Sequence, residues 1–407
     1  MRCSLTPTAP TGTRAATLFL ATLIALSGCV TTQVPPLPPS RAAVRYEPVS
    51  WTQISGWQAD QAQEAWSAFL QGCAAQGAPP ELKNACAGAL PLNVANAAQA
   101  RQFFESRFTP YRVVQVESPR LATDTGLITG YYEPLLRGSR KATGVYKTPL
   151  YAPPDDMLTI ELGDLFPELK GKRVRGRVQG KKVVPYYDRA SLQGQPSLKG
   201  KELVWVDNPV DAFFLEVQGS GRVQLTDGTT IRLAYADQNG HPYRSIGRYL
   251  VDQNEMTLDG ASAPAIRDWI AAHAQRQQEV LNANPSVVFF REERIDDPSL
   301  GPKGALGVPL TAGRSIAIDP AFIPLGAPLF LATTLPLSDA PLQRLVMAQD
   351  TGGAIRGAVR ADFFWGSGAA AGESAGSMKQ QGRLWLLWPK GAALPALAPA
   401  KAPGTSL

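Results

Sequence analysis

The sequence predicts a mainly β protein with accessory helices, built as a larger domain that a smaller β-rich domain interrupts. A chain of 407 residues with 44% hydrophobic and 18% charged residues buries a substantial core, and that length suggests two domains. Short β-prone runs bounded by Gly and Pro turns recur from residue 111 to residue 388. Between residues 136 and 203 the composition shifts to Lys, Arg, Gly and Pro with short β-prone pieces such as VVPYYDRASL, which marks the interruption. We place the larger domain at 46–135 and 290–390, and the insert, with some helices, at 136–289.

Residues 13–29, TRAATLFLATLIALSGC, combine a basic start, an apolar stretch too short for a comfortable membrane span and a small-residue ending. This is a secretory signal over residues 1–28. Leu26-Ser27-Gly28-Cys29 resembles a bacterial lipobox, which implies cleavage before Cys29 and acylation of its thiol. Val30 in place of Asp, by resemblance to sorted lipoproteins, favours the periplasmic side of the outer membrane. The Pro-rich stretch TTQVPPLPPS that follows is a stiff tether, residues 29–45 in all, and the Ala- and Pro-rich tail 391–407 is expected to be disordered. Loss of Arg2 and Arg14 with the signal takes the formal charge from +6 to +4, too small an excess to argue for nucleic acid. With only His241 and His273 in the chain, a His-rich metal site is excluded, and neither a metal nor a cofactor is expected.

In chain order, helical patterns at 61–70 and 81–87 flank a Gly-Ala-Pro-Pro turn, and Cys73 and Cys86 beside it read as a disulfide stapling a helical hairpin in an exported protein. A further helix at 93–107 hands over to strands at 111–117 and 126–134. The second of these, GLITGYYEP, groups Thr129, Gly130, Tyr131 and Tyr132: a hydroxyl, a bare backbone and two amphipathic rings, the mixture a sugar ring needs. It also reads as a core tyrosine pair, and period-two alternation turns one of the two rings inward. Residues 213–217 read as a buried strand, and Gln218-Gly219-Ser220-Gly221 as a turn before a strand at 222–225. That turn is a plain hairpin loop or, through Gln218 and Ser220, a partner for a glycan acetamide or hydroxyl. His241 lies in a Gly-Pro turn and is assigned a structural role, because no nucleophile Ser in a strained elbow accompanies it. Helices follow at 265–278, with His273 on the surface, and at 279–283, then strands at 286–291, 327–332, 344–348 and 383–388.

Three acids close the pass. Asp319 stands between a strand and a Pro-bounded turn, Asp350 at a strand end before Thr-Gly-Gly, and Asp362 before Phe363, Phe364 and Trp365. Read singly, Asp350 is a turn residue bonding its own backbone and Asp362 a solvated strand-end acid. Read together, a carboxyl beside apolar rings is raised in pKa and held protonated as a general acid.

The combination of lipobox, GLITGYYEP, AFFLEVQGSG, NGHPYRSIGRYL, SVVFF, SIAIDPAFIPLG, AQDTGGAIRG and RADFFWG resembles the membrane-bound lytic murein transglycosylase A family across nearly the whole mature chain. The resemblance implies a double-psi β-barrel with a smaller inserted β-barrel-like domain, a groove between them for a peptidoglycan strand, and a C-terminal three-aspartate domain at 304–388. It implies a lytic exotransglycosylase, a carbon–oxygen lyase, with Asp362 as catalytic acid and base and Asp350 and Asp319 in support. The implied partners are glycan strands and, through the anchor, the membrane, with cell-wall synthesis or scaffold proteins as candidates and a monomer as the oligomeric state. Two other readings stand beside it: a peptidoglycan-binding lipoprotein without activity, and a hydrolase with Asp350 as second carboxylate. If Cys29 is the acylated terminus, Cys29→Ala moves the protein out of the membrane fraction while its glycan-cleaving activity persists; unchanged fractionation contradicts the anchor.

Overall fold

The computed structural model describes residues 43–118, 121–169, 174–295 and 297–395; the signal, Cys29, most of the tether and the tail beyond residue 395 lie outside them. The described chain starts with β1 (Ala43–Pro48), passes through α1 (Trp66–Ala74), α2 (Lys83–Ala89) and α3 (Ala97–Arg107), and continues as β2 (Phe108–Ser118), β3 (Leu121–Thr123) and β4 (Gly126–Glu133). It then forms β5 (Leu135–Ser139), β6 (Thr148–Tyr151), β7 (Leu158–Thr159), β8 (Arg175–Gln179), β9 (Lys182–Pro185), α4 (Arg189–Leu192) and β10 (Glu202–Val206). Next come α5 (Pro209–Gln218), β11 (Gly221–Leu225), β12 (Thr230–Gln238), α6 (Ile246–Asp252), α7 (Ala263–Ala272), α8 (Gln277–Asn282) and β13 (Val288–Glu293). The chain ends with β14 (Ser315–Ile318), β15 (Pro328–Thr334), β16 (Pro341–Thr351), β17 (Ala361–Ser367), α9 (Ala369–Ser377) and β18 (Lys379–Pro389).

Six strands close on themselves in the order β18, β15, β16, β14, β17, β4 and back to β18, with parallel pairs at β14–β16 and β4–β17. This is a double-psi β-barrel, and closure leaves these strands no free edge. Its interior is the apolar cluster of Ile128, Ile316, Ile318, Leu329, Leu331, Val346, Phe363 and Leu386. β15 is buried on both faces, which is why it reads as the unbroken apolar run PLFLA. The second sheet runs β13, β12, β11, β5, β10, β6, with β13 lying back against β6 so that the insert nearly closes too. β7, β8 and β9 form a separate three-stranded sheet.

The run expected as a strand at 213–217 is helical. Asn208 Oδ1 accepts from the backbone N–H groups of Val210 and Asp211, Pro209 occupies the first turn, and Gly219 closes the helix at φ 80°. The helix α5 buries Phe213 and Phe214 against α6, α7 and α8, and Ala212 and Leu215 against the insert's sheet. A helix wedged between two layers is apolar nearly all round, so its sequence loses the 3.6-residue contrast.

A helical cap covers one side of the barrel. Trp57, Phe69, Phe104 and Phe108 pack on Phe330, Leu345, Met347 and Trp385, and Cys73 and Cys86 form a disulfide between α1 and α2 with their Cα atoms 5.4 Å apart. Arg314 ties cap to barrel through two acids: its Nη1 donates to Asp60 Oδ1 at 2.9 Å and its Nη2 to Glu64 Oε2 at 2.9 Å, and Asp60 Oδ2 accepts from Leu345 N at 2.9 Å. Where β4 leaves the barrel, the fully buried Glu133 accepts from Arg222 Nε at 2.8 Å and Arg232 Nε at 2.5 Å. Both guanidinium groups also donate to Leu300 O, on the returning chain. Removing one partner of a buried pair strands the other charge. Asp60→Ala is therefore expected to cost about 3–5 kcal/mol in urea denaturation; a loss within error of zero contradicts the coupling of cap to barrel.

Candidate active site

The barrel's pairing register lines up the residues that carry chemistry. Ala317 of β14 pairs with Asp350 of β16 on one side and Asp362 of β17 on the other, and Asp362 in turn pairs with Thr129 of β4. The two acids thus stand two strands apart, about 10 Å between backbones, with Ala317 paired between them. Gly130 follows Thr129 because a Cβ there would lie 2.6 Å from Trp365 Nε1 and 2.9 Å from Ala375 Cα of α9.

Asp362 is half-buried, and its Oδ1 accepts from Thr129 Oγ1 at 2.5 Å. Its other oxygen has no hydrogen bond among the described residues. Burial raises its pKa, against the opposing pull of the Thr129 hydroxyl and the Arg360 charge. Asp350 takes more donors: Ala305 N at 2.9 Å and Thr351 N at 2.8 Å on Oδ1, and Tyr131 Oη at 3.1 Å on Oδ2. Desolvation still prevails and pushes Asp350 up to about 6, with the Asp362 charge adding to it. Tyr131 is buried against Phe364, ring centroids 5.2 Å apart, and burial followed by the charges of Asp350 and Asp362 holds its phenol well above the usual range.

Asp319 is buried one residue beyond β14. Its Oδ1 accepts from Ala321 N at 3.1 Å and its Oδ2 from Gly357 N at 3.0 Å, so it fastens the loop between β16 and β17 to the end of β14. Gln218, expected to meet glycan, accepts from Tyr132 N at 3.0 Å and docks the end of α5 on β4. Ser220 lies half-buried in the turn from α5 to β11. The Tyr132 ring is half-buried and lines a cavity of about 240 Å³ with Leu135, Leu136, Asp211, Arg267 and Ala369, where barrel and insert meet. A larger concavity of about 520 Å³, among Gln58, Arg101 and Glu105 on the helical cap, holds none of the acids. Phe363 and Phe364 are core residues, which leaves Trp365 as the half-exposed ring of that run, with Nε1 directed to Met378 Sδ at 3.3 Å. Sequence reading missed Arg360, which immediately precedes β17 and whose Nη2 donates to Thr129 Oγ1 at 2.8 Å; nothing in its local sequence marks that contact across 231 residues. His241 Nε2 meets Tyr186 O at 2.7 Å in its turn, and His273, expected on the surface, instead caps α7 half-buried, stacked on Trp269. Among the described residues, no three of His, Cys, Asp and Glu converge as metal ligands would.

Residues 127–291 match the MltA specific insert domain and residues 314–388 the 3D domain. The crystal structure of MltA from Neisseria gonorrhoeae is 38% identical, with 89% of this chain and 98% of that one covered at a TM-score of 0.74. The chain belongs to the membrane-bound lytic murein transglycosylase A family. Membrane-bound lytic murein transglycosylase A of Escherichia coli K12 is 33% identical over 267 residues, a stretch that spans 64% of each chain. The structure of E. coli MltA with bound chitohexaose is 25% identical, with 86% of this chain and 95% of that one covered at a TM-score of 0.61.

The raised pKa of Asp350 has a sign that can be measured. The native chain keeps this proton between about pH 4 and 6, where the unfolded chain has released it, so stability falls as pH rises through that window. Asp350→Asn does not titrate. Its stability relative to the parent should therefore improve from pH 4 to pH 7, by at most about 3 kcal/mol in urea denaturation; a change of opposite sign contradicts the assignment.

Proposed function

We propose that this protein is a lytic transglycosylase that cleaves the β-1,4 bond between N-acetylmuramic acid and N-acetylglucosamine in peptidoglycan, with Asp362 as its single acid and base. The observation that carries the reading is the environment of Asp362: a half-buried carboxyl with raised pKa, one oxygen held by Thr129 and the other without a hydrogen-bond partner among the described residues. The protonated Asp362 gives its proton to the glycosidic oxygen as the bond from that oxygen to the muramic anomeric carbon breaks. The muramic C6 hydroxyl then attacks the anomeric carbon and loses its proton to the Asp362 carboxylate, which yields the 1,6-anhydro end and restores the acid. Because the nucleophile is part of the substrate, proximity replaces a second catalytic carboxylate. Asp350 supports by position and charge, and Asp319 by fixing the loop that leads into β17. Chitohexaose in a relative's structure supports a β-linked amino-sugar chain as ligand.

On the same reading the protein is held at the periplasmic face of the outer membrane by an acylated Cys29, binds glycan along the junction of barrel and insert beside Tyr132, and takes part in cell-wall turnover. The reading of Asp350 as a second catalytic group of a hydrolase is favoured by its own raised pKa near 6. Product mass separates the two, because an anhydro end is one water lighter than a reducing end. Asp362→Asn digests of purified sacculi should lose anhydro-muropeptides by about 10²-fold or more in rate, with folding and glycan binding intact. Ordinary reducing ends from the parent protein, or near-native turnover by Asp362→Asn, would overturn the assignment.

A further inference from the structure

The pairing of β4 with β17 puts a third side chain in line with Thr129 and Asp362. Arg360 Nη2 donates to Thr129 Oγ1 at 2.8 Å, and Arg360 Nη1 donates to Leu127 O at 3.3 Å, so the half-buried guanidinium is held along the edge of β4. A guanidinium has donors only, and a threonine hydroxyl has one proton and two lone pairs. Thr129 must therefore accept from Arg360, and among the described residues its single proton has one acceptor, Asp362 Oδ1 at 2.5 Å. We propose that Arg360 is a positioning residue for the Asp362 acid: by occupying one of the two Thr129 lone pairs it holds the hydroxyl proton towards Oδ1 and leaves Oδ2 as the oxygen that exchanges a proton with the glycan. The inference rests on the function proposed above.

The relay also serves the second half of the reaction. Once Asp362 has given up its proton, the carboxylate keeps a fixed hydrogen bond from Thr129 and a nearby guanidinium charge, which stabilise the anion without capturing the oxygen that must take the next proton. The other charged or titratable groups around Asp362 are Tyr131 of β4 and Asp350 of β16; Lys379 of β18, paired with Thr129, turns away to Leu258 O and Asp259. None of these hydrogen-bonds Thr129 Oγ1, so among the described residues Arg360 has no substitute.

Three readouts test it, with soluble peptide-free glycan strands as substrate. Arg360→Gln should lower kcat about tenfold or more while KM stays within about twofold, and the loss of its charge should move the alkaline limb of the pH–kcat profile up by about one unit. Arg360→Lys should return that limb towards its native position. Combined with Thr129→Ala, Arg360→Gln should add less to the loss of kcat than it causes alone, because part of its effect passes through the Thr129 hydroxyl. A native kcat and an unmoved limb in Arg360→Gln overturn the proposal, as does full additivity with Thr129→Ala. Should Arg360→Gln fail to fold, Thr129→Val decides: the same upward move of the limb supports the relay, and an unmoved limb overturns it. Asp362→Asn separates the two levels of inference. If it retains activity, the function assigned to Asp362 fails and the relay with it; if it is inactive while Arg360→Gln behaves as native, the relay alone fails.

Discussion

Everything at the candidate site depends on the parallel pairing of β4 with β17. These strands come from parts of the chain more than two hundred residues apart, and their register alone sets Thr129 opposite Asp362. A slip of one residue would turn every side chain of β17 to the other face. That slip is resisted because Phe363 and Phe364 both fill apolar clusters, because Gly130 has no room for a side chain beneath Trp365, and because β4 closes on β18 as well. The core packing and the chemistry are thus specified by the same hydrogen-bond ladder.

A second constraint is electrostatic. The barrel places Asp350 and Asp362 in one row and partly removes both from water, so each is harder to ionise. Their partners then distinguish them. Asp350 is surrounded by three donors and cannot turn without breaking them, whereas Asp362 is held at one oxygen only among the described residues. Identical side chains thereby acquire different freedoms, and the less constrained one is the better placed to exchange a proton with a ligand.

What could be read from the sequence was local. The strand ends that carry Asp319, Asp350 and Asp362 are marked by apolar runs and Gly or Pro turns, and the alternation of Tyr131 and Tyr132 follows from the two-residue period of a strand. The helix α5 was hidden because both its faces are buried, which erased the contrast that marks an amphipathic helix. The Gln218 contact with Tyr132 spans 86 residues and leaves no trace in either segment. The sequence pattern names Asp319 as a supporting acid but does not show how it is held, by backbone amides at both its oxygens. Cys29 and the tether up to residue 42 fall outside the described residues, and residues 43–45, expected in the tether, begin β1.

The cluster around Glu133 has a consequence for the order in which the protein can be completed. Glu133, Arg222 and Arg232 all precede Leu300 in the chain, yet Leu300 O is the acceptor that both guanidinium groups share. As synthesis delivers the chain from its N-terminus, every strand of the insert is available before that carbonyl arrives. Until then these donors face water, and the sealed junction of the finished protein cannot form. The last step in burying the insert's charges is therefore taken by the segment that leads back to the barrel, so the insert is locked in place by the same stretch of chain that begins the aspartate-bearing half.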